Sequence, residues 1–393
     1  MSGGARTQAT LGTPGRLLPT LDYWMLFAAF ALLGLGLVMV ASATLHRVAD
    51  APFHYLNRHL IALLLGSLSA TLVFLTPVRY WQRSGALLFI VGLLLLVLVL
   101  VPGVGREANG ATRWIPLGAF NLQSSEFMKL FLVIYLAGYL VRRQEEVATS
   151  VWGFMKPLAL LLLASGLIML QPDFGTTAVL LATAMGMLFL GGVPLWQFGV
   201  LVGLAGAAMV GLVLLSPYRL QRVTSFLDPW ADVEGSGYQL SQALIAFGRG
   251  EWLGVGLGSG IQKQFYLPEA HTDFLMAVIG EELGLAGTLV VILLFAFVVG
   301  RAFAIAASAE RKGHRFASHV AQGFALWLGM QAFINIGVNV GMLPTKGLTL
   351  PLMSYGGNSI IVACIVIAML LRIDFENRSS DPLAQGGTKW AQA

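Results

Sequence analysis

Ten long apolar runs, separated by polar connections, constrain this chain more than any other feature of its sequence. A helix needs about 20 mainly apolar residues to cross the ~30 Å hydrocarbon layer of a bilayer. Hydrophobic residues make up 57% of the chain and charged residues only 11%, which is typical of an integral membrane protein. The sequence therefore predicts an all-α, polytopic membrane protein with ten transmembrane helices. The predicted spans lie near residues 22–44, 59–77, 85–102, 125–141, 156–170, 174–191, 195–215, 273–300, 316–342 and 350–371.

The predicted organisation is a single membrane domain, residues 22–371, between two tails at residues 1–21 and 372–393. The fifth span is short, and little more than Gln171-Pro-Asp173 separates it from the sixth, so a re-entrant hairpin is an alternative there. Asp173 is assigned a structural role in that turn. The single cysteine, Cys364, lies in an apolar run, which excludes an internal disulfide.

The distribution of Lys and Arg predicts the orientation of the spans. An even number of spans puts both termini on one side, and more of the 24 Lys and Arg residues fall on the inner segments when the termini are cytoplasmic. The remaining cations indicate an anionic ligand on the outer face, although each one is equally well explained as an ordinary loop charge. No basic face interleaved with aromatic residues occurs, so nucleic acid is not expected as a partner.

The longest connection is a large outer-face loop at residues 216–272, between the seventh and eighth spans. Loops of this length usually have a function or contain elements of their own. Ser236-Gly-Tyr-Gln239 has the spacing of a capping box, and Leu240, Leu244 and Phe247 follow at helical spacing. They predict a short amphipathic helix along the membrane surface. A glycine-rich run from Gly248 to Gly260 then predicts turns. The chain contains no P-loop, no zinc spacing and no nucleophile elbow.

A second outer loop, at residues 103–124, leads into the fourth span. Ser124 or Ser125 is predicted to cap that helix, with Glu126 in its first turn and Lys129 three residues later. Because the two charges can neutralise each other, a structural role for this pair is preferred to direct catalysis.

Three carboxylates, Asp273, Glu281 and Glu282, fall on the predicted eighth span, where ionisable groups need a cavity or a partner. On a continuous helix Glu281 would lie about 12 Å below Asp273. The two glutamates are therefore assigned to hydrogen bonds between helices or to pairing with cations. Asp273 is predicted in the first turn, where the helix dipole favours the ionised form that a general base requires. A plain N-terminal cap is the alternative for Asp273.

Further polar groups accompany Asp273 on the same face. Glu269 and His271 precede it, Lys346 lies in the short turn between the ninth and tenth spans, and Ser354-Tyr-Gly-Gly-Asn-Ser359 lies just inside the last span. Paired glycines weaken a membrane helix, which is tolerated where a polar cavity satisfies the backbone. These residues predict a polar cavity near the outer leaflet.

Seven short motifs, in order along nearly the whole chain, resemble the SEDS family (shape, elongation, division and sporulation). They are Arg113-Trp-Ile-Pro-Leu-Gly118, the segment from Glu126 to Lys129, Gln171-Pro-Asp-Phe-Gly175, Leu267-Pro-Glu-Ala-His-Thr-Asp-Phe274, Glu281-Glu-Leu-Gly284, Leu343-Pro-Thr-Lys-Gly347 and Ser354-Tyr-Gly-Gly357. Gly34-Leu-Gly-Leu-Val-Met-Val40 and Leu370-Leu-Arg-Ile-Asp-Phe-Glu376 resemble the division branch of the family more than the elongation branch.

The resemblance implies a peptidoglycan glycosyltransferase of the bacterial inner membrane that polymerises lipid II on the outer face during septal wall synthesis. It matches Asp273 to the essential aspartate of the family, and Lys346, Lys129 and Arg142 to other important positions. It also implies three kinds of partner: the growing glycan chain on undecaprenyl diphosphate, a class B penicillin-binding transpeptidase and division regulatory membrane proteins.

The implied reaction converts an α-linked sugar diphosphate into a β-1,4 bond, and this inversion requires one displacement and one base. Asp273 is the predicted base. The leaving diphosphate needs charge neutralisation, for which Lys346 is the first candidate. Weaker outer-face candidates are Arg113, Arg222 and Lys263, with Lys129, Glu269 and His271 as further substrate-binding candidates. A divalent cation, Mg²⁺ or Mn²⁺, is an alternative source of positive charge, and no other cofactor is expected.

A lipid II flippase is the alternative from another functional class, because ten spans with broken helices and membrane carboxylates are also typical of a transporter. The sequence shows no clear internal repeat, and its polar residues gather toward one face instead of the midplane. Both observations favour the enzyme. The remaining candidate functions are an elongation polymerase and a division scaffold without catalysis.

Overall fold

The structure, a computed structural model, describes residues 21–47, 52–108, 111–118, 120–215, 217–344 and 347–379 of the chain. The predicted N-terminal tail up to residue 20, the chain after residue 379 and the predicted site residue Lys346 lie outside the described residues. Helices make up most of the described part, and one small sheet accompanies them. The predicted all-α class is therefore confirmed.

The chain forms its helices and strands in a simple order. The helices are α1 (Tyr23–Thr44), α2 (His54–Leu75), α3 (Val78–Leu100), α4 (Ser124–Arg142), α5 (Gln144–Thr149), α6 (Val151–Leu170), α7 (Phe174–Leu190), α8 (Leu195–Leu214), α9 (Pro217–Leu227), α10 (Tyr238–Gly250), α11 (Leu275–Arg311), α12 (Arg315–Asn339) and α13 (Gly357–Ser379). The strands β1 (Arg106–Ala108), β2 (Ala111–Leu117) and β3 (Phe120–Gln123) lie between α3 and α4. A short π-helical turn, Gln262–Tyr266, follows α10.

Each predicted span overlaps one helix of the structure, with bounds that differ by several residues for some of them. Among the described residues, seven helices are long and apolar enough to cross a membrane: α1, α2, α3, α4, α6, α11 and α13. The apolar helix α7 is shorter, with 17 residues. The polytopic membrane fold is thus confirmed, and the count of ten spans stays a prediction. Since α6 extends over 20 residues, its length favours a full span over the re-entrant hairpin.

Burial distinguishes the centre of the bundle from its periphery. In the most apolar part of α4 and α13, 78% and 83% of the residues are buried, against 22% and 28% for α2 and α3. Leu64, Leu68 and Leu72 form a stripe along one side of α2 and are 60–71% exposed. Such a stripe at helical spacing is suited to contact with lipid. Consequently α4 and α13 form the core that positions the polar residues described below.

The loop at residues 103–124 contains an antiparallel sheet with the strand order β1-β2-β3. Trp114 on β2 pairs with Gln123 on β3, and Leu117 pairs with Phe120 at the tight end of that hairpin. This sheet was not predicted from the sequence. The sheet is joined to the last helix, because Asn358 Nδ2 donates a 2.7 Å hydrogen bond to the carbonyl oxygen of Asn121.

The amphipathic helix predicted in the long loop is present as α10. Its buried residues include Leu240, Ala243 and Ala246, and this face packs against α11. The predicted capping box was wrong: the N-cap is Gly237, and within the described residues no side chain caps the helix. Ser236 instead donates its hydroxyl and its backbone N–H to Asp232 Oδ2, each at 2.8 Å.

Helix α11 is interrupted at Gly284, where the backbone adopts φ +66° and ψ −162°. The glycine-rich loop at residues 251–261 closes the gap with four backbone hydrogen bonds. Val255 and Gly256 donate to the carbonyl groups of Glu281 (3.0 Å) and Glu282 (3.1 Å), and Leu285 and Ala286 donate to those of Glu251 (2.9 Å) and Trp252 (3.0 Å). The predicted continuous helix was therefore wrong. The interruption is stable inside an apolar bundle because the loop satisfies the backbone groups that the helix itself does not pair.

The segment before α13 also differs from the prediction. The last helix begins at Gly357 rather than near residue 350, and it continues beyond residue 371 to Ser379. Residues 347–356 are non-helical, and Leu350, Leu352 and Met353 are nevertheless almost fully buried. The starts of α4, α7, α11 and α13 meet at one end of the bundle, which we call the Asp273 end.

Replacing Gly284 by Ala should destabilise the protein, because this backbone conformation is almost restricted to glycine and costs about 1–3 kcal/mol for other residues. A Cβ at Gly284 would also lie 2.4 Å from the backbone nitrogen of Gly254. The measurement is the thermal unfolding midpoint in detergent micelles.

Gly300→Ala is the matched control on the same helix, since a Cβ there would meet no described atom within 4 Å. Ala is the better helix former by up to about 1 kcal/mol, so this variant should be as stable as wild type or more stable. Equal midpoints for the two variants would contradict the structural role of Gly284.

Candidate active site around Asp273

Asp273 lies just before α11 rather than in its first turn, because the helix begins at Leu275 with Phe274 as its N-cap. The predicted position in the first turn was therefore wrong. A tight turn causes the difference: the carbonyl oxygen of Glu269 accepts hydrogen bonds from the N–H groups of Thr272, Asp273 and Phe274, at 3.1–3.2 Å. Asp273 is half-buried, which leaves part of its side chain accessible from the Asp273 end.

Two asparagines of α12 fix the backbone of Asp273. Asn335 and Asn339 are buried, and each donates a 2.9 Å hydrogen bond from its side-chain Nδ2 to the carbonyl oxygen of Asp273. Asn339 Oδ1 also accepts a 3.0 Å hydrogen bond from the N–H of Ala277, in the first turn of α11. The carboxyl-bearing residue is thus attached to two helices at once.

Asn335 also holds the segment that follows residue 346. Asn335 Nδ2 donates to the carbonyl oxygen of Leu348 at 2.5 Å. Gly347 then approaches Asp273 so closely that a Cβ at this position would lie 3.0 Å from Asp273 Oδ2. A side chain at this position would crowd the carboxylate, which would have to shift to make room for it.

Lys129 lies beneath this segment and is enclosed. It is 2% exposed, and its Nζ contacts Glu126 Oε1 at 2.9 Å, Gln331 Oε1 at 2.8 Å and the face of the Trp327 ring, 4.9 Å from its centroid. Gln331 in turn donates from Nε2 to the carbonyl oxygen of Thr349 at 2.9 Å. Lys129 therefore supports the 347–350 segment from below, and the predicted direct contact with substrate is not compatible with its enclosure.

The N-terminal cap of α4 also differs from the prediction. Gln123 occupies the N-cap position, and among the described residues no side chain caps the helix, so neither Ser124 nor Ser125 has the predicted capping role. Instead, Ser125 Oγ donates a 3.4 Å hydrogen bond to Asp173 Oδ2. This bond links α4 to the turn between α6 and α7.

Asp173 and Arg113 shape that turn. Asp173 caps α7, since Oδ1 accepts from the N–H of Thr176 at 3.1 Å and Oδ2 accepts from the Thr176 hydroxyl at 2.8 Å. Arg113, on β2, donates from Nε to the carbonyl oxygen of Gln171 at 3.0 Å and from Nη2 to that of Pro172 at 2.5 Å. Within the described residues these partners of Arg113 are neutral, so its positive charge remains available to an anion.

Lys263 is not available to an anionic ligand. It is 3% exposed and forms a 2.5 Å ion pair with the buried Glu282, and its Nζ also donates to Ser42 Oγ at 2.7 Å. The assignment of Lys263 to the substrate was therefore wrong. The physical reason is that a buried carboxylate requires a cation, and Lys263 is the residue that supplies it.

Glu281 has a comparable environment. Its side chain is fully buried, pairs with Arg249 at 2.7 Å and accepts hydrogen bonds from the backbone N–H groups of Ile261 and Gln262. Both glutamates thus bind the glycine-rich loop to α11, in agreement with their assignment to cation pairing.

His271 is buried two residues before Asp273. Its ring lies 5.0 Å from that of Tyr55 and 5.3 Å from that of Tyr355, and its carbonyl oxygen accepts the N–H of Tyr355 at 2.9 Å. In the described part of the chain, Nδ1 has no hydrogen-bond partner. Burial lowers the pKa of His271 from 6.5 to about 4, and the charge of Arg47 acts in the same direction.

The other predicted site residues divide into two groups. Glu269 is half-buried, and its Oε2 accepts the Thr272 hydroxyl at 2.8 Å. Lys346 and the side chain of Arg222, a residue of α9, lie outside the described part of the chain.

As for a metal, no three His, Cys, Asp or Glu side chains converge within the described residues. The side chains described there do not form a metal site of their own.

The amide residues of α12 were not among the residues predicted from the sequence. Gln331, Asn335 and Asn339 recur every four residues on an otherwise apolar helix, which places them on one face. A polar stripe on a membrane helix indicates a polar partner inside the bundle. Here the partners are backbone carbonyl groups near Asp273 and Thr349.

Replacing Lys129 by Met should destabilise the protein by about 3–5 kcal/mol, because Glu126 would keep a buried charge without a partner. The double variant E126Q/K129M should recover much of this loss. The control is R143Q, which breaks the exposed Arg143–Glu146 pair with the same spacing, and which should have little effect. The measurement is the thermal unfolding midpoint of the three variants in detergent. A K129M midpoint equal to that of R143Q would disprove the buried-pair interpretation.

Acidification should destabilise the wild-type protein partly through His271. Between pH 6.5 and pH 4, the unfolded chain binds a proton at this histidine that the folded chain does not bind, so stability falls as the pH falls. The loss is about 2 kcal/mol at pH 5. The variant H271F, which keeps an aromatic ring, should show a weaker decline in unfolding midpoint between pH 7 and pH 5, whereas H54F, at an exposed position, should match wild type. If the unfolding midpoints of H271F and wild type depended on pH in the same way, His271 would not contribute to the acid destabilisation.

Comparison with known proteins assigns the whole described bundle to one family. The family of cell cycle proteins that includes FtsW, RodA and SpoVE matches residues 23–379. The chain is 58% identical to a protein of Allochromatium vinosum named probable peptidoglycan glycosyltransferase FtsW, over 95% of both chains. It is 53% identical to a Pseudomonas fluorescens protein of the same name, over 91% of this chain and 89% of the relative.

Solved structures show the same architecture. A chain of a peptidoglycan synthase complex, described as coordinating polymerization and crosslinking, superposes with a TM-score of 0.75 at 33% identity, covering 92% of this chain and 99% of the other. The rod shape determining protein RodA of Thermus thermophilus gives a TM-score of 0.68 at 31% identity, with the same coverage. With its motifs, its bundle and its relatives in agreement, the chain belongs to the SEDS family of FtsW, RodA and SpoVE, and within that family it is FtsW-like.

Proposed function

We propose that this protein is a peptidoglycan glycosyltransferase that polymerises lipid II into β-1,4 glycan strands for septal wall synthesis. The observation that supports this most directly is the fixed position of Asp273. Its backbone is held by two buried amides, its side chain is partly accessible, and Gly347 leaves space beside the carboxylate.

In the proposed reaction, Asp273 acts as the general base. One carboxylate oxygen takes the proton of the acceptor GlcNAc 4-hydroxyl while the hydroxyl oxygen attacks C1 of the donor MurNAc. The new O–C1 bond forms as the bond from C1 to the diphosphate oxygen breaks, so the anomeric configuration inverts. The bonding electrons leave with the undecaprenyl diphosphate, and no covalent enzyme intermediate is formed.

The asparagines give Asp273 the rigidity that a base requires. A catalytic group must hold its orientation to within a fraction of an ångström, and loops seldom do so unaided. Asn335 and Asn339 attach the carbonyl of Asp273 to α12, while Asn339 also attaches the first turn of α11. The base is thereby positioned by buried helices although it lies outside any helix.

The leaving diphosphate needs positive charge, and two residues are proposed to supply it. Arg113 has neutral partners within the described residues and lies at the Asp273 end. Lys346 is proposed from the resemblance to the family, and it immediately precedes Gly347, the residue next to the carboxylate. A requirement for Mg²⁺ or Mn²⁺ is a separate proposal, tested by chelation and by return of each ion to the polymerisation assay.

The proposed partner is a class B penicillin-binding transpeptidase, together with division regulatory membrane proteins. The similar chain from a peptidoglycan synthase complex supports the transpeptidase, because that complex combines polymerization with crosslinking. The proposed location is the bacterial inner membrane at the septum, with both termini in the cytoplasm and the Asp273 end on the outer face.

Asp273→Asn should reduce glycan synthesis from purified lipid II by about 10²–10⁴-fold, because the isosteric amide cannot accept the proton. Its backbone bonds to Asn335 and Asn339 are retained, so the variant should stay folded, which its thermal unfolding midpoint checks. The assay should be run with and without the transpeptidase.

The matched control is Asp232→Asn, at an exposed position of the same long loop, and it should leave polymerisation unchanged. Near-normal synthesis by D273N would remove Asp273 as the base. Transport of labelled lipid II across liposomes, without polymer from the wild-type protein, would favour the flippase instead.

A further inference from the structure

The end of the bundle opposite Asp273 contains a cavity of about 720 Å³. It lies between the start of α3, the end of α4, the start of α12 and the end of α13. Its volume is within the range of small-molecule binding sites. Its polar lining comes from Arg79, Gln82, His314, Arg315, Glu376, Asn377 and Ser379, and most of the remaining lining residues are apolar.

Two arginines give the cavity its positive charge. Arg79 Nη2 donates to the Tyr80 hydroxyl at 3.3 Å, and Arg315 Nη1 donates to Gln144 Oε1. Both acceptors are neutral, and neither guanidinium forms an ion pair with a carboxylate in the described ranges. Because a guanidinium carries five N–H donors, most of the donors at each arginine are left for a ligand.

The acidic residue in the described lining does not cancel this charge. Glu376 Oε1 accepts 2.7 Å and 3.0 Å hydrogen bonds from Arg372 Nε and the backbone N–H of Val78. Arg372 therefore neutralises Glu376 from outside the cavity. Among the described residues, Arg79 and Arg315 therefore have no carboxylate partner.

The start of α12 adds hydrogen-bond donors to the same wall. Arg315, Phe316 and Ala317 form its first turn and line the cavity, and none of the described side chains caps this helix. Unpaired N–H groups at a helix start favour an anion. The backbone N–H groups at the start of α12 therefore add to the attraction that the two arginines exert on an anion.

The position of the cavity indicates the source of the anion. Apolar α3 begins at Val78, and Tyr80, one residue beyond Arg79, is 48% exposed. Exposed tyrosines at the end of a membrane helix are typical of the headgroup layer. Basic pockets between membrane helices at this depth bind the headgroups of anionic lipids.

We propose that this cavity binds the phosphodiester headgroup of an anionic phospholipid, with Arg79 and Arg315 contacting the phosphate oxygens. The acyl chains would then follow the apolar outer surface of the bundle. A bound headgroup connects α3 and α13 to α4 and α12, the helices that carry Lys129 and the two asparagines near Asp273. Occupancy therefore stabilises the helices that hold the candidate active site.

The test uses the delipidated full-length protein in detergent, titrated with phosphatidylglycerol or phosphatidylcholine and observed by native mass spectrometry and thermal unfolding. The wild-type protein should bind phosphatidylglycerol preferentially and unfold at a higher temperature with it. R79Q/R315Q should weaken this binding by about tenfold or more, since both charge-assisted hydrogen bonds to the phosphate are lost.

The matched control is R83Q, which removes an exposed arginine of α3 that is not among the described lining residues of the cavity. It should bind phosphatidylglycerol like wild type. If R83Q weakens binding as much as R79Q/R315Q, the attraction is a diffuse surface charge and the proposal fails.

A third variant and a competition experiment test the proposal independently of R79Q/R315Q. Gln82→Glu places a negative charge on an exposed wall of the cavity without removing packing, and it should weaken binding even if R79Q/R315Q does not fold. Unchanged binding by Q82E would contradict the proposal. Inorganic phosphate at millimolar concentration should not displace the lipid, and full displacement would assign the cavity to a soluble anion.

Discussion

The hydrogen bonds from Asn335 and Asn339 are the interaction on which the candidate active site depends. Inside an apolar bundle a backbone carbonyl or N–H cannot obtain a hydrogen bond from water, so every interruption of a helix needs an internal partner. The two amides provide partners for Asp273, Ala277 and Leu348 together. They allow non-helical chain to persist at the start of α11 and before α13, and this non-helical chain places a carboxylate beside Gly347.

The same constraint explains the interruption at Gly284. The glycine-rich loop after α10 hydrogen-bonds the backbone groups on both sides of the interruption. The buried Glu281 and Glu282 pair with Arg249, at the end of α10, and with Lys263, just after the loop. Charges that would be costly in isolation are thus paired within the bundle. The loop, α10 and the first part of α11 form one unit directly next to Asp273, so the long loop is part of the site's support and not a simple connection.

Burial separates the charged residues into two classes that their types alone do not distinguish. Lys129 and Lys263 are enclosed with carboxylate partners, whereas Asp273 is half-buried and Arg113 has neutral partners in the described part of the chain. The enclosed lysines support backbone segments. The accessible residues are the ones that can meet a substrate. Arg113, on β2, is hydrogen-bonded to the turn after α6, and Asp273 lies in the segment before α11.

The sequence by itself determined the membrane class, the positions of the long helices, α10 and the motifs of the family, because these depend on apolar run lengths and local patterns. It also singled out Asp273 and the pairing of Glu126 with Lys129. Only the tertiary structure decided the interruption at Gly284, the late start of α13 and the enclosure of Lys263, since each depends on a partner distant in the chain. For the same reason the roles of Asn335 and Asn339 emerged only with the fold: an amide on a helix has no defined role until packing brings a backbone carbonyl to it.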